Sequence, residues 1–396
     1  MTLSNGREFL SIPGPTTVPD RVLGAMHQPA IEIYGGRLFD ITRSCLTDMK
    51  KIFKTEGETY IYISNGHGAW EAAISNTLSR GEKVLVLDSG RFARGWGEMA
   101  DTMGIEVEVL PGDWRAAVDP AALEARLKAD SAGEIKAVMV VQVDTASGVV
   151  NDIPALRKAI DAAGHGALFM VDCIACLATI PFEMDAWGVD VTVTGSQKGL
   201  MCPPGLGFVA ANDKARAKSA TANLKTRYWD WSFREGPEHY QKYCGTAPVH
   251  MLYGLREALN MIFEEGLENI FERHRLLAGA TRRAVEVWSE GAPFEFNILE
   301  PSQRSDAITM VRCQESMDPA ALLAYLKQHL GVVLGIAIGE MSGKGFRIAH
   351  MGHVNAPMML GTLGALETAL AALGIPHGKG GVSAAAAYLG EALKGR

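Results

Sequence analysis

Val189-Asp190-Val191-Thr192-Val193-Thr194-Gly195-Ser196-Gln197-Lys198-Gly199 is the stretch on which the fold turns. A β-branched run stops at Thr194, and a lysine follows at once in a Gly/Ser setting. Met201-Cys202-Pro203-Pro204-Gly205 then bounds it as a rigid turn. Lysine is costly to bury. At the end of an apolar strand its amine is desolvated, its pKa falls, and it becomes a candidate Schiff-base nucleophile. Read alone, the segment is equally a surface lysine in a loop after a strand.

Working outward, Ala167-Leu168-Phe169-Met170-Val171-Asp172 ends a second buried-type strand in a carboxylate, 26 residues before the lysine. Val84-Leu85-Val86-Leu87 and Val138-Met139-Val140-Val141 read as further buried strands, and Pro120–Leu127 and Ile153–Ala163 as helices between them. This alternation predicts an α/β fold: a large domain with a mostly parallel sheet flanked by helices. Residues 250–292 read as mainly helical, and a smaller α+β C-terminal unit follows, with a helix over Asp318–Leu330 and a strand over Phe346–Ile348. The expected divisions are an N-terminal segment (1–25) joining the small domain, a large domain (26–270) and a small C-terminal domain (271–396).

In such a sheet ligands gather at the carboxyl ends of the strands, so Asp172 and Lys198 would meet there. An aspartate for the pyridine nitrogen and a lysine for a Schiff base is the pair that pyridoxal 5'-phosphate (PLP) chemistry requires. Taken singly, Asp172 also reads as a strand-end helix cap. Thr59-Tyr60-Ile61-Tyr62-Ile63 then Ser64-Asn65-Gly66-His67-Gly68 then Ala69-Trp70-Glu71 reads as strand, glycine-rich turn and helix start. That is an anion cradle of free N–H groups and a helix dipole, although many α/β turns look alike. It has neither a Walker A lysine nor the G-x-G-x-x-G spacing.

With these motifs the chain resembles the class V, fold-type I PLP aminotransferases, and within them the serine–glyoxylate and alanine–glyoxylate branch. The resemblance runs from Pro13-Gly14-Pro15-Thr16 through Ser196-Gln197-Lys198-Gly199, Tyr253-Gly254-Leu255-Arg256 and Glu265-Gly266-Leu267-Glu268-Asn269 to Phe346-Arg347-Ile348-Ala349-His350 and a tail at Pro376–Val382. It implies that Lys198 holds PLP and shuttles the Cα proton, and that Asp172 pairs with the pyridine nitrogen. It implies phosphate contacts from Asn65, Gly66, His67 and Gln197, with Tyr243 and Thr246 reaching in from a neighbouring subunit. Phe92 and Ile174 would press on the two faces of the ring, Thr145 would face its O3' side, and Arg347 would clamp the substrate α-carboxylate in a bidentate fork. The bland readings are core for Phe92 and a surface ion-pair partner for Arg347.

Two departures bear on substrate. Serine–glyoxylate relatives often carry a His-Arg pair just before a phenylalanine near residue 39; here the segment is Ile33-Tyr34-Gly35-Gly36-Arg37-Leu38-Phe39. Tyr34, Gly35 and Arg37 are therefore candidates for substrate contact, with Arg37 at the side-chain end of the donor favouring an acidic or polar one. A solvated loop arginine is the other reading. The family's usual Glu-Thr-x-Thr-Gly is Asp144-Thr145-Ala146-Ser147-Gly148, a variant similar to that of pyridoxamine–pyruvate aminotransferases. The resemblance implies ping-pong transamination from serine, with alanine or aspartate as alternatives, to glyoxylate or else pyruvate. The competing readings are a pyridoxamine–pyruvate-type enzyme and a catalytically silent PLP-fold binding protein.

Bulk properties exclude other classes. Net charge is −7 with no basic stripe, so nucleic acid is not an expected partner. No apolar run approaches the roughly 18 residues of a membrane span, and the first residues lack the basic-then-apolar order of a signal peptide. Six cysteines in 396 residues form no disulfide framework, which fits a reducing cytoplasm. Cys173-Ile174-Ala175-Cys176 is a C-x-x-C without a second pair at metal-ligand spacing, and the ten histidines form no zinc motif, so no metal is expected. The expected assembly is a homodimer or larger homo-oligomer acting on small amino acids and 2-oxo acids.

Overall fold

The structure, a computed structural model, describes residues 2–395. Seven strands form the main sheet in the order Glu58–Ser64, Gly205–Ala211, Val191–Gly195, Leu168–Asp172, Ile135–Val141, Lys83–Leu87, Glu106–Leu110. Gly205–Ala211 runs antiparallel to both neighbours, and the other pairings are parallel. Every residue of Leu168–Asp172 and Val191–Gly195 is buried, because helices cover both faces of the sheet; hence the apolar run of the first and the β-branched run of the second. Phe169 and Val171 are fully buried, each contributing roughly 1.5–3 kcal/mol of hydrophobic stabilisation.

The helices between the strands start where the sequence supplies caps. Asp119 accepts from the Ala121 N–H at 2.9 Å before Pro120–Ala129, and Asp152 accepts from the Ala155 N–H at 2.9 Å before Ile153–Ala162. A second sheet has the order Phe9–Ser11, Val332–Ile336, Gly345–Ala349, Ile308–Cys313, Phe294–Phe296. The long helix Leu267–Trp288 spans two cores: Ile270 packs with the main sheet, whereas Leu276 to Trp288 pack with the second.

Two expectations change in detail. The helix expected over Asp318–Leu330 is α-helical only over Pro319–Tyr325, capped by Asp318, and its last turn, Leu326–Leu330, widens to a π-turn before Gly331 in the left-handed region. The N-terminal segment is shared. Phe9–Ser11 pairs with Val332–Leu334 in the second sheet, but the helix Asp20–Met26 buries Val22 in the core of the main sheet. Between these two anchors Pro13–Thr16 is drawn across the lysine loop, where Thr16 N–H donates to Gln197 O at 3.0 Å and Thr16 Oγ1 to Lys198 O at 3.0 Å.

Candidate active site

The strands ending at Ser64, Val141, Asp172 and Gly195 open onto one cavity of about 200 Å³. Asn65, Gly66, His67, Phe92, Thr145, Asp172, Ile174, Gln197 and Lys198 all line it, joined by Trp70 and by Gly14-Pro15 from the N-terminal strap. Register explains the convergence. Asp172 lies opposite Val141 on one side and Val193 on the other, so the carboxylate and the loop after Gly195 emerge at one level of the sheet.

Lys198 is 9% exposed. Its Nζ donates to the Pro13 carbonyl, and a Cβ on Gly14 would fall 2.5 Å from its Cδ and Cε, so the strap lies directly on the side chain. Burial, reinforced by the positive Arg347 and opposed by Asp172 and Asp144, lowers its pKa to about 8. At pH 7 about one molecule in ten then carries the neutral amine, against about one in three thousand at the ordinary lysine value. Asp172, 2% exposed, is pushed up to about 7 by burial, against hydrogen bonds from the Ile174 N–H and the Trp70 indole.

The helix Gly66–Thr77 points its N-terminus at the cavity. Asn65 Oδ1 accepts from the N–H groups of His67 (3.0 Å) and Gly68 (3.3 Å), so in the first turn only the Gly66 N–H has no protein partner among the described residues. Gly66 is required by close packing: a Cβ there would sit 2.3 Å from Ile174 Cδ1. Gln197 Oε1 is buried without a hydrogen-bond partner. A buried, unpaired acceptor beside a free N–H, a desolvated lysine and a buried carboxylate fits a compact ligand bearing both anionic and protonated groups, as PLP does.

Arg347 stands behind Thr145 on the strand Gly345–Ala349. Its Nε donates to Ile336 O at 2.7 Å and its Nη1 to Thr145 O at 3.1 Å; no hydrogen bond among the described residues uses Nη2. Burial, opposed by the charge of Asp144, lowers its pKa to about 10, so it stays cationic. Asp144 itself is fully buried and was not marked by sequence reasoning. It accepts from the N–H groups of Phe92 (2.8 Å), Ala93 (3.0 Å) and Ala146 (2.9 Å), tying the helix that bears Phe92 to the turn that bears Thr145.

The remaining candidates lie elsewhere in the chain. Tyr34 is 84% exposed, Gly35 and Arg37 sit beside it at the start of the helix Arg37–Phe53, and none of the three lines the lysine cavity. The Arg37 guanidinium lies 5.0 Å from the Tyr253 ring centroid, outside the cavity of its own chain. Thr246 is exposed. Tyr243 is buried with its hydroxyl 2.8 Å from that of Thr42, so neither residue reaches the cavity of its own chain. Cys173 and Cys176 are free thiols, with the Cys176 thiol 3.0 Å from Gln142 Oε1. Trp70 was missed because an aromatic in the second turn of a helix reads as core; only the position of Asp172 in space reveals its partner.

Residues 9–349 match the family Aminotransferase class-V. The chain belongs to the class V aminotransferase family. It is 40% identical to the serine–glyoxylate aminotransferase of Methylorubrum extorquens, over 98% of this chain and 97% of that one. It is 36% identical to the L-aspartate–glyoxylate aminotransferase of Paracoccus denitrificans, over 94% of each. Its fold is similar to that of the pyridoxamine–pyruvate aminotransferase of Mesorhizobium loti, with a TM-score of 0.89 and 26% identity over 99% of this chain and 100% of that one. This class V aminotransferase is thus a transaminase of the fold-type I architecture. Among its described residues no helix is long and apolar enough to cross a membrane.

Proposed function

We propose that this enzyme transfers the amino group of a small amino acid, serine first and aspartate or alanine next, to glyoxylate, with PLP as cofactor. The observation that carries the reading is the meeting of Lys198 and Asp172 at adjacent strand ends in one buried cavity. The match to glyoxylate aminotransferases supports the acceptor. Pyruvate is the alternative acceptor. The Asp144–Gly148 turn and the likeness to a pyridoxamine–pyruvate enzyme favour a second reading, in which free pyridoxamine is the donor.

PLP, when bound, supplies an aldehyde that takes up the amino group and a ring that draws electrons from the substrate Cα. The protein supplies the rest. Lys198 Nζ, with its lowered pKa, would attach the cofactor and carry the proton from Cα, and Asp172 would hold a proton on the pyridine nitrogen. The Gly66 N–H and the Gln197 amide Nε2–H would donate to the phosphate, Phe92 and Ile174 would fix the ring plane, and Thr145 would meet its O3' side. Arg347 Nη2 would receive the α-carboxylate common to donor and acceptor, which orients Cα toward Lys198.

We further propose a homodimer in which Tyr243 and Thr246 of one copy serve the cofactor phosphate of the other; for Tyr243 this requires giving up its bond to Thr42. The exposed Tyr34–Arg37 segment would face the partner's substrate in the same way. The six free thiols, five of them buried, suit a reducing cytoplasm, where we place the enzyme. We read the chain as a large domain to about residue 270 and a smaller one beyond it, where the core changes along Leu267–Trp288.

The test is a donor screen of the PLP-loaded enzyme against glyoxylate and pyruvate, with the spectrum recorded before and after each donor. Serine with glyoxylate should be the fastest pair, and borohydride should abolish the near-visible band. Lys198→Ala should lose the reducible linkage and nearly all turnover. Activity confined to pyridoxamine with pyruvate would establish the second reading, and full turnover in Lys198→Ala would refute the role of the lysine.

A further inference from the structure

Asp172 has two oxygens and two protein donors. The Ile174 N–H reaches Oδ1 at 2.6 Å, and the Trp70 indole Nε1–H reaches Oδ2 at 2.6 Å. The first is a feature of the turn that any residue there would supply. The second comes from another element, the helix Gly66–Thr77, and depends on one side chain.

Indole N–H is a donor only. A hydroxyl or imidazole could turn to accept a proton from Oδ2, but Trp70 cannot. If Oδ2 took up a proton, it would lose its charge and one lone pair, and the bond from the indole N–H would weaken. The contact therefore discriminates between the two charge states of Asp172 and selects the carboxylate. It also fixes the rotation of the carboxylate about its own bond.

Trp70 is itself held firmly. It is 1% exposed, stacked on Trp96 with centroids 6.0 Å apart and planes at 17°, and met edge-on by His67 at 4.5 Å and Phe92 at 6.4 Å. His67 and Trp70 are one helical turn apart, so the helix that offers its N-terminus to an anion also delivers the indole to Asp172. The charged and titratable groups around Asp172 are Lys198 on the lysine loop, Asp144 on the facing hairpin, Cys176 in its own turn and His67 beside the indole. Lys198 and Asp144 act on it with opposite sign.

We propose that Trp70 is the positioning residue of Asp172, holding it as an inward-facing carboxylate so that it can keep the ring nitrogen protonated. The inference rests on the PLP reading given above. It predicts that loss of the indole N–H raises the pKa of Asp172 by about one to two pH units, because the bond favours the charged form and is lost with the donor.

The experiment has a cofactor-free arm and a loaded arm. In cofactor-free protein labelled with [4-13C]aspartate, Asp172 is assigned by its loss in Asp172→Asn and titrated in the parent and in Trp70→Phe. In PLP-loaded protein the acid limb of kcat/KM and the pH titration of the near-visible band are followed for Trp70→Phe, Asp172→Asn and the double variant. The expected result is a carboxyl titration and an acid limb each moved up by about one to two pH units in Trp70→Phe, with kcat falling more than KM rises. Adding Trp70→Phe to Asp172→Asn should change nothing further. Should Trp70→Phe fold poorly, 3-benzothienylalanine at position 70 keeps the bicyclic shape and lacks only the N–H; it should give the same shift. An unmoved Asp172 titration in either variant, or an equal loss from Trp70→Phe in the Asp172→Asn background, would overturn the proposal. Failure of the PLP reading itself would look different: the parent protein would show no near-visible band on loading, whatever residue 70 is.

Discussion

Gly66→Ala probes the packing that shapes the cofactor cavity. The new methyl would lie 2.3 Å from Ile174 Cδ1 and 3.0 Å from its Cγ1. Carbon atoms settle at about 3.5–4.0 Å, so the end of Ile174 must retreat by about 1.2–1.7 Å. Ile174 lines the cavity, and its N–H is a donor to Asp172, so a retreat moves both the surface offered to the ring and the carboxylate. Overpacking of this kind costs about 1–3 kcal/mol, or about one to two powers of ten in affinity for PLP. Fold stability should fall as well, because Gly66 is the first residue of its helix and the mid-helix advantage of alanine does not apply there. The assay is titration of cofactor-free protein with PLP, followed by the near-visible band, beside a urea unfolding curve. Ile174→Val removes the methyl that clashes most, so the double variant should recover most of the affinity. The reasoning is refuted if Gly66→Ala binds PLP like the parent, or if Ile174→Val brings no recovery.

Arg347→Lys keeps a cation but loses the planar fork and the Nη1 bond to Thr145, so KM for donor and acceptor should rise together by about tenfold or more, measured in each half-reaction separately. A rise for only one substrate would show that the two carboxylates bind at different places. A pH effect should come from His350, which is fully buried and whose pKa burial depresses to about 3. Its folded value lies below its unfolded one, so its contribution is complete above pH 6.5 and is lost as pH falls toward 3. At pH 5 the loss is about 2 kcal/mol. Asp172 and Asp144 are raised to about 7 and 6 and act in the opposite sense over pH 7 to 5, so the effect is read as a difference. Between pH 6.5 and 5, His350→Gln should lose about 1.6 kcal/mol less than the parent in urea unfolding, and parallel curves would exclude His350 as the cause.

The sequence by itself determined the sheet and the chemistry of its strand ends. Apolar runs of five to seven residues ending in Asp172 or followed by Lys198 have one economical use, as buried parallel strands presenting polar groups at their carboxyl edge. The glycine-rich turn Ser64–Gly68 was legible because turn chemistry is local, whereas roles for Ile174 and Gln197 came only from the resemblance to a known family. What only the tertiary structure decided were the partners that cross between elements. Trp70 reaches Asp172 across 102 positions and Asp144 reaches Phe92 across 52. The Gly14-Pro15 strap comes to lie on Lys198 because Phe9–Ser11 is held in the second sheet while Val22 is buried under the first. Arg37 is likewise placed by packing, which sets its guanidinium 5.0 Å from the Tyr253 ring centroid, outside the cavity of its own chain. Hydrogen bonds and close packing depend on distance in space, and a single sequence encodes that distance only through the whole set of burial choices that fold it.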